Sequence, residues 1–218
     1  MSPIKPTIKT EALPIIMVIL SIISSFYFYA NFPEQIATHW NFEGQVDGYS
    51  SKAIGAFLFP LIIFGIYLMF LVLPYIDPRK ERYNQFIKTY YIFKNVIIGF
   101  MFIIYITTGL ANLGYPIDIG IVVPILVGIL FIVIGNYMGK IKYNWFMGIK
   151  TPWTLSSENV WNKTHRVGGW LFIALGIIML VMPILPKTII APIFFTGIII
   201  TVVGSFLYSY FLYRIEKK

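Results

Sequence analysis

Six stretches of almost unbroken apolar residues divide the chain: 12–30, 53–75, 90–110, 119–137, 168–185 and 189–213. Each is close to or above the roughly 20 residues that carry an α-helix across a bilayer, the fifth only just. None shows the two-residue alternation of a barrel strand. Backbone groups in lipid must be satisfied within their own segment, so the pattern predicts six transmembrane helices. The expected fold class is all-α, a polytopic membrane helix bundle. Residues 1–218 read as one six-span domain, with short connections and no room for a separate soluble unit. Pro60, Pro124 and Pro183 within the runs predict local kinks, and the small pair Ser21 and Ser25 predicts helix packing. Phe28 is too bulky for the position three before a cut at Ala30, so the first run reads as an uncleaved span.

The cations between the runs are distributed unevenly. Fifteen of the 17 Lys and Arg fall at the N-terminus, between the second and third spans or just inside the third (Lys94), between the fourth and fifth, or in the tail with Arg214, Lys217 and Lys218. Only Lys52 and Lys187 fall on the other side. Basic connections stay inside, which predicts cytoplasmic N and C termini and an external connection at 31–52. Tyr75, Tyr90, Tyr115, Tyr137 and Trp170 lie near span ends, where interfacial anchoring suits them.

Composition adds the class of protein: 12% charged residues is about half the soluble average, as a membrane protein requires. The net charge of +8 is then explained by basic flanks facing membrane lipid, with no direct nucleic-acid role. Cysteine is absent, which removes disulfides, thiolate metal sites and a cysteine nucleophile. No P-loop, dinucleotide fingerprint, zinc-protease helix or serine elbow occurs. The span cores read as free of ionisable groups, with Lys94 alone able to snorkel from the third, which argues against ion-coupled transport.

Chemistry is therefore sought in two connections. The first, at 138–167, sets Trp145, Trp153 and Trp161 among cations and holds the string Gly148-Ile149-Lys150-Thr151-Pro152-Trp153-Thr154. Pro152 restricts itself and the residue before it, so part of this connection is pre-shaped. Ser156 or Ser157 can cap a helix with Glu158 in its first turn; Trp161, His165 and Gly168 then share one face. His165 lacks a nucleophile or carboxylate at a recognisable spacing, so no catalytic residue is assigned. The three tryptophans read first as interface anchors. The second connection, at 31–52, carries His39, Trp40, Asn41, Gly44, Asp47 and Lys52, with Gly44 and Asp47-Gly48 as turn formers. Its oxygen pattern lacks the late carboxylate of a calcium loop, and one His with two carboxylates does not make a zinc site, so no metal or other cofactor is expected. The two halves each place a long connection between their first and second spans, on opposite sides, as an inverted repeat would.

Asn144, the Gly148–Thr154 run, Trp161 and Thr164-His165-Arg166 together resemble the signature of the SdpI/YfhL family of bacterial integral membrane immunity proteins. Lys150 stands where that family usually has Arg, which keeps the charge but not the guanidinium fork. The 31–52 connection, with Pro33, Ile36, His39-Trp40-Asn41, Gly44, Asp47-Gly48 and Lys52, is similar to a region of unknown function that often precedes the signature. The resemblance implies a non-enzymatic protein of the bacterial cell membrane that protects its producer from a secreted peptide toxin. In some members it also implies signalling through a cytoplasmic transcriptional repressor. On this basis His39, Trp40, Asn41, Gly44, Asp47 and Lys52 are expected to face the toxin. Asn144, Gly148, Lys150, Thr151, Pro152, Trp153, Thr154, Trp161, Thr164, His165 and Arg166 are expected to form a cytoplasmic site. A small-solute or lipid-handling membrane protein using the same connections as gates is the alternative.

Overall fold

A computed structural model describes residues 4–217 of the chain, so the tail cation Lys218 lies outside the described residues. Six long helices dominate: α1 (Ile8–Asn31), α2 (Lys52–Ile76), α3 (Ile87–Asn112), α4 (Ile119–Met138), α5 (Glu158–Val181) and α6 (Lys187–Glu216). All six are long and apolar enough to cross a membrane. Their outward faces carry Ile23, Phe26, Leu61, Val202 and Phe211, while Ser21, Ser25, Thr201, Ser205 and Ser209 are buried between helices. The core is largely apolar too, and an exterior this apolar suits lipid as the surrounding solvent.

Local chemistry sets the helix ends. Thr7 caps α1 through a reciprocal pair of bonds with Thr10, and Ser51 caps α2. Helix α5 starts at Glu158, ten residues before the apolar run begins, because the Ser157 hydroxyl accepts the Val160 N–H and frees the polar face to remain helical. Pro183 forms part of a short 3-10 turn (Met182–Ile184) that ends α5, while Pro60 and Pro124 lie inside α2 and α4.

Helices α1, α2 and α3 pack mutually, α3 hands on to α4, and α5 lies between α4 and α6. The closest approach is between α4 and α5. A Cβ at Gly135 would sit 2.5 Å from the Gly169 carbonyl oxygen, and one at Gly128 would sit 2.8 Å from that of Gly176.

The interior departs from expectation in two places. Lys94 does not snorkel: its Nζ donates to Glu11 Oε1 at 2.6 Å, and both side chains are buried. Glu11 precedes the first apolar run by one residue, but α1 begins at Ile8, which draws the carboxylate inside. Tyr90, expected as an interface anchor, is buried and donates to the Phe70 carbonyl.

Candidate functional site

At one end of the bundle the 31–52 connection forms a hairpin of β1 (Gln35–Trp40) and β2 (Val46–Ser51). The turn is built on Asn41, whose Oδ1 accepts the N–H groups of Glu43 (2.9 Å) and Gln45 (3.0 Å), with Gly44 in the left-handed region at φ +80. Asp47-Gly48, expected to form the turn, instead lies in β2, opposite an irregularity of the ladder around His39. There a Cβ at Gly48 would meet that of His39 at 2.8 Å, so glycine is needed for close strand approach rather than for a turn. His39 and Asp47 form an exposed pair at 2.5 Å, and Lys52 pairs with Glu34 at 2.6 Å. Among the described residues, no three His, Asp or Glu side chains converge as metal ligands would.

The hairpin is fixed across the bundle. At its root Ile36 fills the space left by Gly55 of α2. In its middle the Asn112 carboxamide of α3 accepts the Ala37 N–H (2.7 Å) and donates to the Ala37 carbonyl (2.9 Å), which are the two bonds a neighbouring strand would make. At its tip Lys187 donates to the Glu43 carbonyl at 2.7 Å, and Phe42 packs on Phe194 and Phe195 of α6. Beneath it lies a cavity of about 650 Å³ lined by residues of all these elements, with His39, Trp40, Asn41 and Asp47 among them.

At the opposite end the Trp-rich connection is largely built into the bundle. Asn144 is fully buried; its Oδ1 accepts the N–H groups of Phe146 and Met147, and its Nδ2 donates to the carbonyls of Lys142 and Met147. Every hydrogen-bonding capacity of that side chain goes into the fold of the connection. Gly148 follows at φ +111, where a Cβ would lie 2.1 Å from His165 Nε2. His165 Nε2 accepts the Ile149 N–H at 2.9 Å, which leaves its proton on Nδ1, donated to the Trp161 carbonyl at 2.8 Å. The ring stacks on Trp161, whose Nε1 donates to the Ile141 carbonyl. With both nitrogens and one face engaged, His165 offers no free edge for proton transfer.

Thr151 and Thr154 bond each other reciprocally: the Thr154 hydroxyl accepts the Thr151 N–H and the Thr151 hydroxyl accepts the Thr154 N–H. Thr151 reaches Ser209 of α6 at 3.0 Å. Pro152 is exposed, and half-buried Trp153 meets Phe206 and Tyr210 edge to face at 4.8 and 4.9 Å. Thr164 is buried, whereas Lys150, Lys163 and Arg166 are exposed. The expectation that all three tryptophans anchor at the interface is corrected here. Trp161 is fully buried, Trp153 packs on α6, and only Trp145 is exposed.

Sequence reasoning missed Asp77. This buried carboxylate accepts the N–H of Trp145 (3.1 Å), the Tyr83 hydroxyl (3.0 Å) and the N–H of Arg79 (2.8 Å), tying the connection after α2 to the Trp-rich one. Burial and the Asp77 charge both push the Tyr83 phenol well above its usual range, so it remains a donor. The Arg79 guanidinium lies 3.5 Å from the Tyr143 ring centroid, and Arg82 pairs with Glu158 at 2.5 Å. The available signal was an acid directly after an apolar run and before a proline.

Six spanning helices, an apolar outer surface and two connections folded onto the bundle define a multi-pass membrane protein. Residues 140–209 match the SdpI/YfhL protein family, and residues 16–64 match a domain of unknown function (DUF1648). The chain is 29% identical over 206 residues to the immunity protein SdpI of Bacillus subtilis, covering 94% of this chain and 97% of that protein. Over these residues the chain is similar to the SdpI/YfhL family, and its place is the bacterial cytoplasmic membrane. No solved structure matches it.

Proposed function

We propose that this protein is a membrane immunity protein that shields the cell from a secreted peptide toxin without enzymatic chemistry, and that the toxin meets it at the hairpin. The observation that carries this reading is the similarity to the Bacillus subtilis immunity protein along nearly the full length of both chains. Charge supports the orientation: the hairpin end holds only Lys52 and Lys187 of the 17 cations, so that end faces outward and both termini face the cytoplasm. His39, Trp40, Asn41, Gly44, Asp47 and Lys52 then stand where an external peptide arrives. At the cytoplasmic end, Thr151 to Thr154 act as a wedge against α6, and Asn144, Trp161 and His165 hold it in place. Exposed Lys163 and Arg166, with Lys150, whose ammonium also donates to the Phe146 carbonyl, draw a cytoplasmic repressor or anionic headgroups.

The test is a challenge of cells, with and without this chain, by a panel of secreted antibacterial peptides. Protection by the intact chain against at least one peptide is expected, and its loss in His39→Ala/Trp40→Ala at unchanged membrane abundance. Absence of protection across the panel overturns the immunity reading. Full protection by the double variant moves the toxin site away from the hairpin.

A further inference from the structure

The cavity beneath the hairpin has a polar mouth and an apolar depth. His39, Asn41, Asp47 and Asn112 line it near the hairpin, and Ile104, Val123, Val127 and Phe131 line it further along α3 and α4. His39 Nδ1 is held by Asp47, while its Nε2 has no partner among the described residues. Along α4 the lining runs from Ile119 to Phe131, about 18 Å at 1.5 Å per residue. A helix with side chains is 10–12 Å across, far thicker than a single acyl chain. An extended peptide is narrower, but its N–H and C=O groups would need partners that walls of Ile, Val and Phe do not supply at bilayer depth. A hydrocarbon chain is thin and needs none.

From this shape and chemistry we infer that the cavity is a lipid site: one acyl chain of a membrane lipid runs down between α3, α4 and α6, and its polar head rests at the His39–Asp47 rim. This goes beyond the immunity reading and does not depend on it, because the chain fills the cavity whether or not a toxin is present.

The experiment uses the full chain in vesicles of phosphatidylethanolamine and phosphatidylglycerol doped with a phospholipid that carries a photoactivatable diazirine midway along one acyl chain. After irradiation, labelled residues are mapped by mass spectrometry. Helix α4 supplies its own control, since Ile121 and Ile129 are exposed to bulk lipid on its other face. Label on Val123, Val127 or Phe131 as well as on Ile121 and Ile129 is expected. In Val127→Phe, which fills the cavity, the inner labels should fall several-fold while those on Ile121 and Ile129 hold. Label confined to Ile121 and Ile129 in the unaltered protein overturns the proposal, as does inner labelling that Val127→Phe leaves unchanged. Should that variant not fold, the pattern in the unaltered protein still decides.

Discussion

The Lys94 ammonium lies 2.6 Å from the Glu11 carboxylate, joining α3 to α1 where neither side chain is more than 7% exposed. A pair of this kind contributes little over an apolar replacement, yet removing one member strands the other charge. Lys94→Met or Glu11→Leu alone should therefore destabilise the protein by about 3–5 kcal/mol, and the double variant should recover most of that loss. Thermal unfolding of the four purified proteins checks this. Additive losses in the double variant would show that the two groups do not act as a pair.

Gly148 and His165 make a second cycle. Gly148→Ala adds a methyl group where His165 Nε2 sits and strains a backbone at φ +111, for a loss of about 1–3 kcal/mol or more. His165→Ala leaves the Ile149 N–H without its acceptor, for a further loss of about 1–3 kcal/mol. Combined, the two should cost less than their sum, because the small side chain at 165 relieves the clash. Melting temperatures of the single and double variants read this directly.

Trp153 is only half-buried against Phe206 and Tyr210, so Trp153→Ala should cost about 2 kcal/mol rather than the 3–5 kcal/mol of a fully enclosed tryptophan. Abundance and immunity should fall together. Lys150→Glu and Arg166→Glu, on exposed side chains, should leave abundance and immunity intact and lose any signalling that depends on a cytoplasmic partner. Normal abundance and protection in Trp153→Ala would sink the wedge.

Orientation is checked with reporters fused at Lys218, inserted near Tyr83 and inserted near Gly44. The first two should read cytoplasmic and the third external. An external reading at Lys218 would invert the assignment of both ends.

The six helices were legible because apolar runs of spanning length have no other solution in lipid. The buried faces were harder to read. Glu11 stands one residue before an apolar run and reads as a flank until α1 is seen to start at Ile8. Asp77 reads as part of a loop, since nothing in its surroundings announces the Trp145 N–H it will accept 68 residues later. In the Trp-rich connection the helix start and the shared face of Trp161 and His165 followed from spacing. The Ile149 N–H that holds the His165 ring did not, because backbone partners carry no sequence mark. The hairpin was expected as a compact fold-back; its strands, its capture by Asn112 and the cavity beneath it arise only where separate helices meet.

Gly128 and Gly135 on α4 face Gly176 and Gly169 on α5, each pair seven residues apart along its own helix. Alanine at any of the four would make its span more hydrophobic and a better helix former, and so ease insertion into the bilayer. The same methyl group would press on a carbonyl oxygen less than 3 Å away and force the two helices apart. Entry into the membrane and assembly within it thus pull these positions in opposite directions, and a hydropathy profile registers only the first.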